Sequence, residues 1–218
     1  MKKILIALFL LGASLGTASA QVEIGIKLSP SIAYLRADAP SQYNFQSEKS
    51  KVGIGGGLVV DYFFGQNYAF GTGLQLTSKG GTVSYDANTT IQDNEQKISL
   101  QYLEIPLTVK LFTNDITTDT KLYFQLGGKI GGLVAARIDG EKFYQFGGEK
   151  ATKHFIIPDA ALLGGLGAEY QVGQSTKVFA GLSYHHGLAN VDRYFKKNGF
   201  NGATLKNGEV ALDLGIKF

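Results

Sequence analysis

In the stretch SYHHGLAN, Ser183 and His185 stand two residues apart and His186 follows directly. A serine hydroxyl activated by an imidazole attacks esters and amides. On an extended strand, residues two apart share a face and consecutive residues oppose one another. Ser183 and His185 therefore look one way and His186 the other. The chain has three histidines and no cysteine, and neighbouring His185 and His186 lack partners at metal-ligand spacing. Glycine-rich runs such as GGLGAEY lie inside alternating segments instead of opening helices, so they do not cradle phosphate. No catalytic residue, metal or cofactor is assigned.

Charged residues form a second group. Glu23, Lys27, Asp61, Glu104, Lys110, Lys129, Asp159, Glu169, Asp213 and Lys217 all fall at positions opposite a large apolar stripe. A buried unpaired charge is costly, whereas mixed signs can pair. The expectation is an interior polar network centred on Glu104, Lys110, Lys27, Lys129, Asp61, Glu169 and Asp213. Glu104 stands beside Pro106, which removes a strand hydrogen bond. A third group is Arg193, Lys196, Lys197 and Lys206 with Tyr194, Phe195 and Phe200. Residues 189–207 read as a long loop, a surface for anionic lipopolysaccharide or a partner protein.

Strands must position these groups. LEIPLTVKL, residues 103–111, is apolar at every second position, and EVALDLGIKF at the C-terminus repeats the pattern. Period-2 alternation bounded by turn residues marks eight segments, near 22–35, 51–64, 68–84, 97–112, 120–137, 154–171, 177–188 and 208–218. Three connections are short (65–67, 113–119 and 172–176) and four are long and polar (36–50, 85–96, 139–153 and 189–207). Up-and-down pairing puts the short turns at one end and the long loops at the other, the asymmetry of outer-membrane barrels.

Which face looks inward follows from volume. An eight-stranded barrel has an interior just wide enough for side chains to fill, so the branched and aromatic stripes would overfill it. Turned outward, they meet lipid. Inner faces rich in glycine, serine and alanine, with scattered charges, then fill the interior, and the 29 glycines let the wall curve. Tyr34, Tyr62, Phe64, Tyr68, Phe70, Phe112 and Phe218 sit near strand ends, where aromatic girdles belong.

The first twenty residues carry two lysines, an apolar run and the small-residue ending Ala18, Ser19 and Ala20. That is the pattern of a secretory signal peptide, with residues 21–218 as the barrel domain. Losing Lys2 and Lys3 lowers the formal charge from +3 to +1, too near neutral for nucleic-acid binding as a main activity.

At QYLEIPLTVKL (101–111) the chain resembles the PorT-like outer-membrane β-barrel family common in Bacteroidetes, and LSYHHGLANV and the final LDLGIKF fit it. The resemblance implies an all-β, eight-stranded antiparallel up-and-down transmembrane barrel in the Gram-negative outer membrane. It implies no established activity. The expected role is a non-enzymatic, monomeric barrel that binds outer-membrane lipid, lipopolysaccharide or another envelope or secretion protein. The alternatives are a narrow channel or small-ligand carrier, and a lipid-modifying enzyme. Barrel lipid A deacylases place serine and histidine on the lipid-facing wall, whereas here Gly187, Leu188, Ala189 and Asn190 follow His186.

Overall fold

The computed structural model describes residues 21–40, 44–85, 94–143, 148–193, 195 and 202–218. The expected leader and Tyr194, Lys196, Lys197 and Phe200 lie outside the described residues. Alternation becomes eight antiparallel strands: β1 (Val22–Asp38), β2 (Gln46–Gly65), β3 (Tyr68–Tyr85), β4 (Asn94–Phe112), β5 (Thr120–Ile138), β6 (Pro158–Gln171), β7 (Lys177–Gly187) and β8 (Thr204–Lys217). Each pairs with its sequence neighbours, and β1 pairs with β8 to close the barrel. Closure leaves no unpaired edge to cross hydrocarbon.

The faces sort as volume requires. Leu103, Ile105, Leu107, Val109 and Leu111 are 42–47% exposed, whereas Glu104, Thr108 and Lys110 between them are at most 8% exposed. A continuous apolar surface of this kind is not left to water. Glycines make room for the larger inward rings. A Cβ on Gly167 would come within 2.6 Å of the Tyr123 hydroxyl, and one on Gly215 within 2.5 Å of the Phe179 ring. On the outer face, Tyr34 lies over its pairing partner Gly208.

Three expectations change. Phe112 does not join a girdle. It shares the parity of Lys110 and packs inside with Val59, Ala69, Tyr123 and Phe179. The interior is also not confined to small and charged side chains: Leu35, Val83, Tyr85, Ile98, Leu100, Tyr102, Phe155, Val191, Phe195 and Leu205 form an apolar cluster towards the long-loop end. Strand six starts at Pro158 rather than 154, because residues Ala151–His154 form a 3₁₀ turn and a proline without a donor suits a first strand position.

That late start makes the wall uneven. Gly132 of β5 pairs with Pro158, and β5 runs on to Ile138 with no β6 beside it. β7 likewise stops at Gly187, while β8 extends upward along β1. The shortfall is filled by irregular chain. Leu133 donates to the Ile157 carbonyl (2.8 Å), Ile156 to Val191 (2.9 Å), Val191 to Leu205 (2.8 Å) and Arg193 to His154 (3.1 Å).

Candidate functional site

Strand parity points the charged side chains into the barrel, and the strand register stacks them in layers. At the short-turn end, Lys217 reaches Glu23 (3.0 Å), Asp61 (3.0 Å) and Glu169. Lys110 also pairs with Asp61 (2.8 Å), and Lys177 closes on Glu23. Aromatic rings line this floor. Lys217 lies over Phe112 at 5.6 Å and Lys110 over Tyr123 at 5.6 Å, positions in which a ring face attracts a cation.

Midway, Lys27 pairs with Asp213 (3.0 Å), whose carboxylate also accepts from the Ser29 hydroxyl (2.6 Å). A third layer lies above. Glu104 accepts from Lys79 (2.5 Å), Lys129 (2.9 Å) and the Thr77 hydroxyl (2.7 Å). Lys79 bridges to Asp159 (2.9 Å) and Lys129 to Glu209 (3.1 Å). Asn207 donates a further bond to Asp159 (2.9 Å). Each carboxylate in this layer thus meets at least one ammonium, which offsets the desolvation that burial imposes. Glu104, Lys129, Lys79, Asp159 and Glu209 are all at most 3% exposed.

All seven residues expected in the network face inward and join it, divided among the three layers. Glu104 finds its partners in Lys79 and Lys129. Lys79 and Glu209 are central members that the expected set omitted. Their signal was available: Lys79 shares parity with Gln75 and Thr77, and Glu209 with Ala211 and Asp213. Lys177 at the floor begins β7 and was likewise omitted.

Ser183, His185 and Glu209 stand in line. The Ser183 hydroxyl is 2.9 Å from His185 Nε2, and His185 Nδ1 is 3.0 Å from Glu209. The atoms follow the order of a serine hydrolase relay. Lys129 also presses on His185 Nδ1, and Ser183 is only 3% exposed. An interior cavity bordered by Lys27, Asp61, Gln75, Thr108, Lys110 and Asp213 measures about 30 Å³. That is room for a water or two, and neither Ser183 nor His185 borders it. His186 faces the other way, beside Arg36 (3.1 Å) and the Tyr184 hydroxyl (3.2 Å).

The expected loop surface divides. Arg193 is exposed. Phe195, expected in an outward contact, turns inward instead: it is 1% exposed and meets Phe45 and Tyr85 edge-on at 4.7 and 4.9 Å. An aromatic ring at the mouth of a barrel gains more from the apolar cap beneath it than from water.

The family model described as outer membrane protein beta-barrel domain matches residues 14–193. Among solved structures, Neisserial surface protein A is similar over 92% of this chain and 100% of its own, at 14% identity and a TM-score of 0.51. Ail, the attachment invasion locus protein of Yersinia pestis, matches over 91% of this chain and 99% of its own, at 15% identity and a TM-score of 0.46. OprG from Pseudomonas aeruginosa matches over 92% and 96%, also at 15% identity and 0.46. Likeness at such identities concerns the fold alone. No curated protein matches the chain in sequence.

Proposed function

Because this chain belongs to the outer membrane protein beta-barrel domain family, and so is an outer-membrane barrel, we propose that it acts as a closed, non-enzymatic anchor whose long loops engage a partner. The partner is outer-membrane lipid or lipopolysaccharide, or another envelope or secretion protein, and the barrel works as a monomer. In this reading the chain is PorT-like and of Bacteroidetes type, and residues 1–20 are a signal peptide cleaved before Gln21. Intact mass of the membrane-extracted protein checks the cleavage.

The observation that carries the proposal is how the interior is filled. Three layers of paired charges and then an apolar cap follow one another along the axis, around a cavity of about 30 Å³. Diffusion through a barrel needs a wetted lumen, which larger barrels have and eight strands do not provide. What remains for interaction is the two ends, the long loops above all, and the outer wall. Planar-bilayer recording tests the closed state: silence across salts and voltages is expected, and discrete conductance steps would favour the channel. Crosslinking in intact cells, with the captured molecule identified, tests the partner.

One observation favours an enzyme, the Ser183, His185 and Glu209 relay. Labelling of Ser183 by a fluorophosphonate, or a changed lipid A mass in cells carrying the protein, would support it. The burial of Ser183 predicts neither.

A further inference from the structure

On the outer wall, just below the place where β6 and β7 stop short, lies an apolar groove of about 550 Å³. That falls within the roughly 300–1,000 Å³ of small-molecule sites. Leu103 and Ile105 of β4 and Ile130 of β5 form one side, and Ile156 and Pro158 the other. Between them the wall carries Gly132, Ala160 and Ala189 where its neighbours carry leucine and isoleucine. The space at Gly132 is open, since an added Cβ would meet nothing within 4 Å. The groove's lower side, Ile105 and Ile130, continues the outward apolar stripe of β4 and β5, a surface that suits an acyl chain.

Two bases lie within three residues of the groove's lining, Lys153 of Ile156 and Arg193 of Asn190. The segments 151–157 and 188–193 run antiparallel, with Phe155 bridged to Asp192 and Arg193 donating to the His154 carbonyl at 3.1 Å. Phe155 and Asp192 are buried, while Arg193 and Lys153 are exposed. Ile156, which lines the groove, is three residues from Lys153 along the same segment. That distance is about 10 Å of extended chain at most. Lys150, just before this segment, is exposed as well, and Glu149 approaches Lys153 at 3.4 Å with both side chains largely in water. An exposed pair of this kind is weak, which leaves Lys153 able to form charge-assisted hydrogen bonds to a phosphate, as Arg193 can. The long-loop end is the external one, so the lipid at this height belongs to the outer leaflet.

We infer that the groove holds one acyl chain of a phosphorylated outer-leaflet glycolipid of the lipid A type, with its phosphate on Arg193 and Lys153. The inference deepens the proposed partner role by naming a lipid and a place. It stands apart from capture of a protein partner, whose failure would leave this site untouched.

Native mass spectrometry of the full-length barrel in detergent micelles, titrated with purified lipid A, tests it. The parent is expected to retain one lipid A. Filling the groove with Gly132→Leu and Ala160→Leu should weaken binding by about tenfold or more, and Arg193→Glu with Lys153→Glu should do the same. Dephosphorylated lipid A should bind the charge-reversed variant and the parent equally. Heat-shifted gel migration reports folding, and Ala160→Leu alone replaces the double variant if that one fails to fold. Unchanged lipid A binding in either the groove-filled or the charge-reversed variant overturns the site.

Discussion

The two ends of the barrel interior are filled by opposite chemistry. At the short-turn end, Lys217 gathers Glu23, Asp61 and Glu169. At the long-loop end, Leu35, Ile98, Leu100, Val191 and Leu205 shed water together. The difference follows from where the side chains originate. Every member of the floor stands on a strand, its direction set by parity and its neighbours by register, so opposite charges can be brought together reliably. The cap draws on strands and on loop residues such as Phe155, Val191 and Phe195, which lie outside the eight strands; Phe155 and Val191 are tied only by an isolated bridge and single backbone hydrogen bonds. Non-directional apolar burial suits such residues better than ion pairs that need particular geometry.

The largest effect is expected at Lys217. Replacing it with alanine leaves three buried carboxylates sharing Lys110 and Lys177, and urea unfolding in lipid vesicles should show a loss of about 3–5 kcal/mol. A loss under about 1 kcal/mol would mean that water reaches the floor. At the other end, Leu205→Ala should cost about 2 kcal/mol, near the lower bound for a buried leucine because the roofing loops can settle into the space. It should also speed tryptic cleavage at Arg193, which the floor variant should leave unchanged. The outer wall gives the smallest effect. Leu126 is 73% exposed, and lipid replaces whatever contacts an alanine gives up, so Leu126→Ala should change stability by less than about 1 kcal/mol. A larger loss would place Leu126 against protein.

The same contrast explains what could be read from residue order. The charged interior was legible because alternation is a local rule: Asp61, Lys110, Glu169 and Asp213 each stand opposite a stripe of branched residues. Lys79 obeys the rule as well, and the count from Ala69 through Gln75 and Thr77 reaches it. The pairing of Glu104 with Lys79 and Lys129 was not legible, because it depends on the register of three strands. The cap was hidden for a different reason. Leu100 and Val83 face inward by the same parity as Glu104 and Lys79, but they form an apolar cap because loop residues such as Phe155, Val191 and Phe195 fold over them. Parity does not report whether water or a loop lies beyond. Phe195 was misplaced by the same logic, since its neighbours are basic and polar. The late start of β6 depends on a turn whose residues, Ala151–His154, carry no strong helical signal of their own.

Oily side chains face lipid and charged ones face in, and the chain's lack of tryptophan makes that directly measurable. Single tryptophans would be placed at Leu107 on the outer face and at Phe179 on the inner face, and the barrel folded into vesicles whose acyl chains are brominated at mid-depth. Bromine quenches indole on contact. The account predicts strong quenching at position 107 and little at position 179. Equal quenching, or the reverse order, would contradict it.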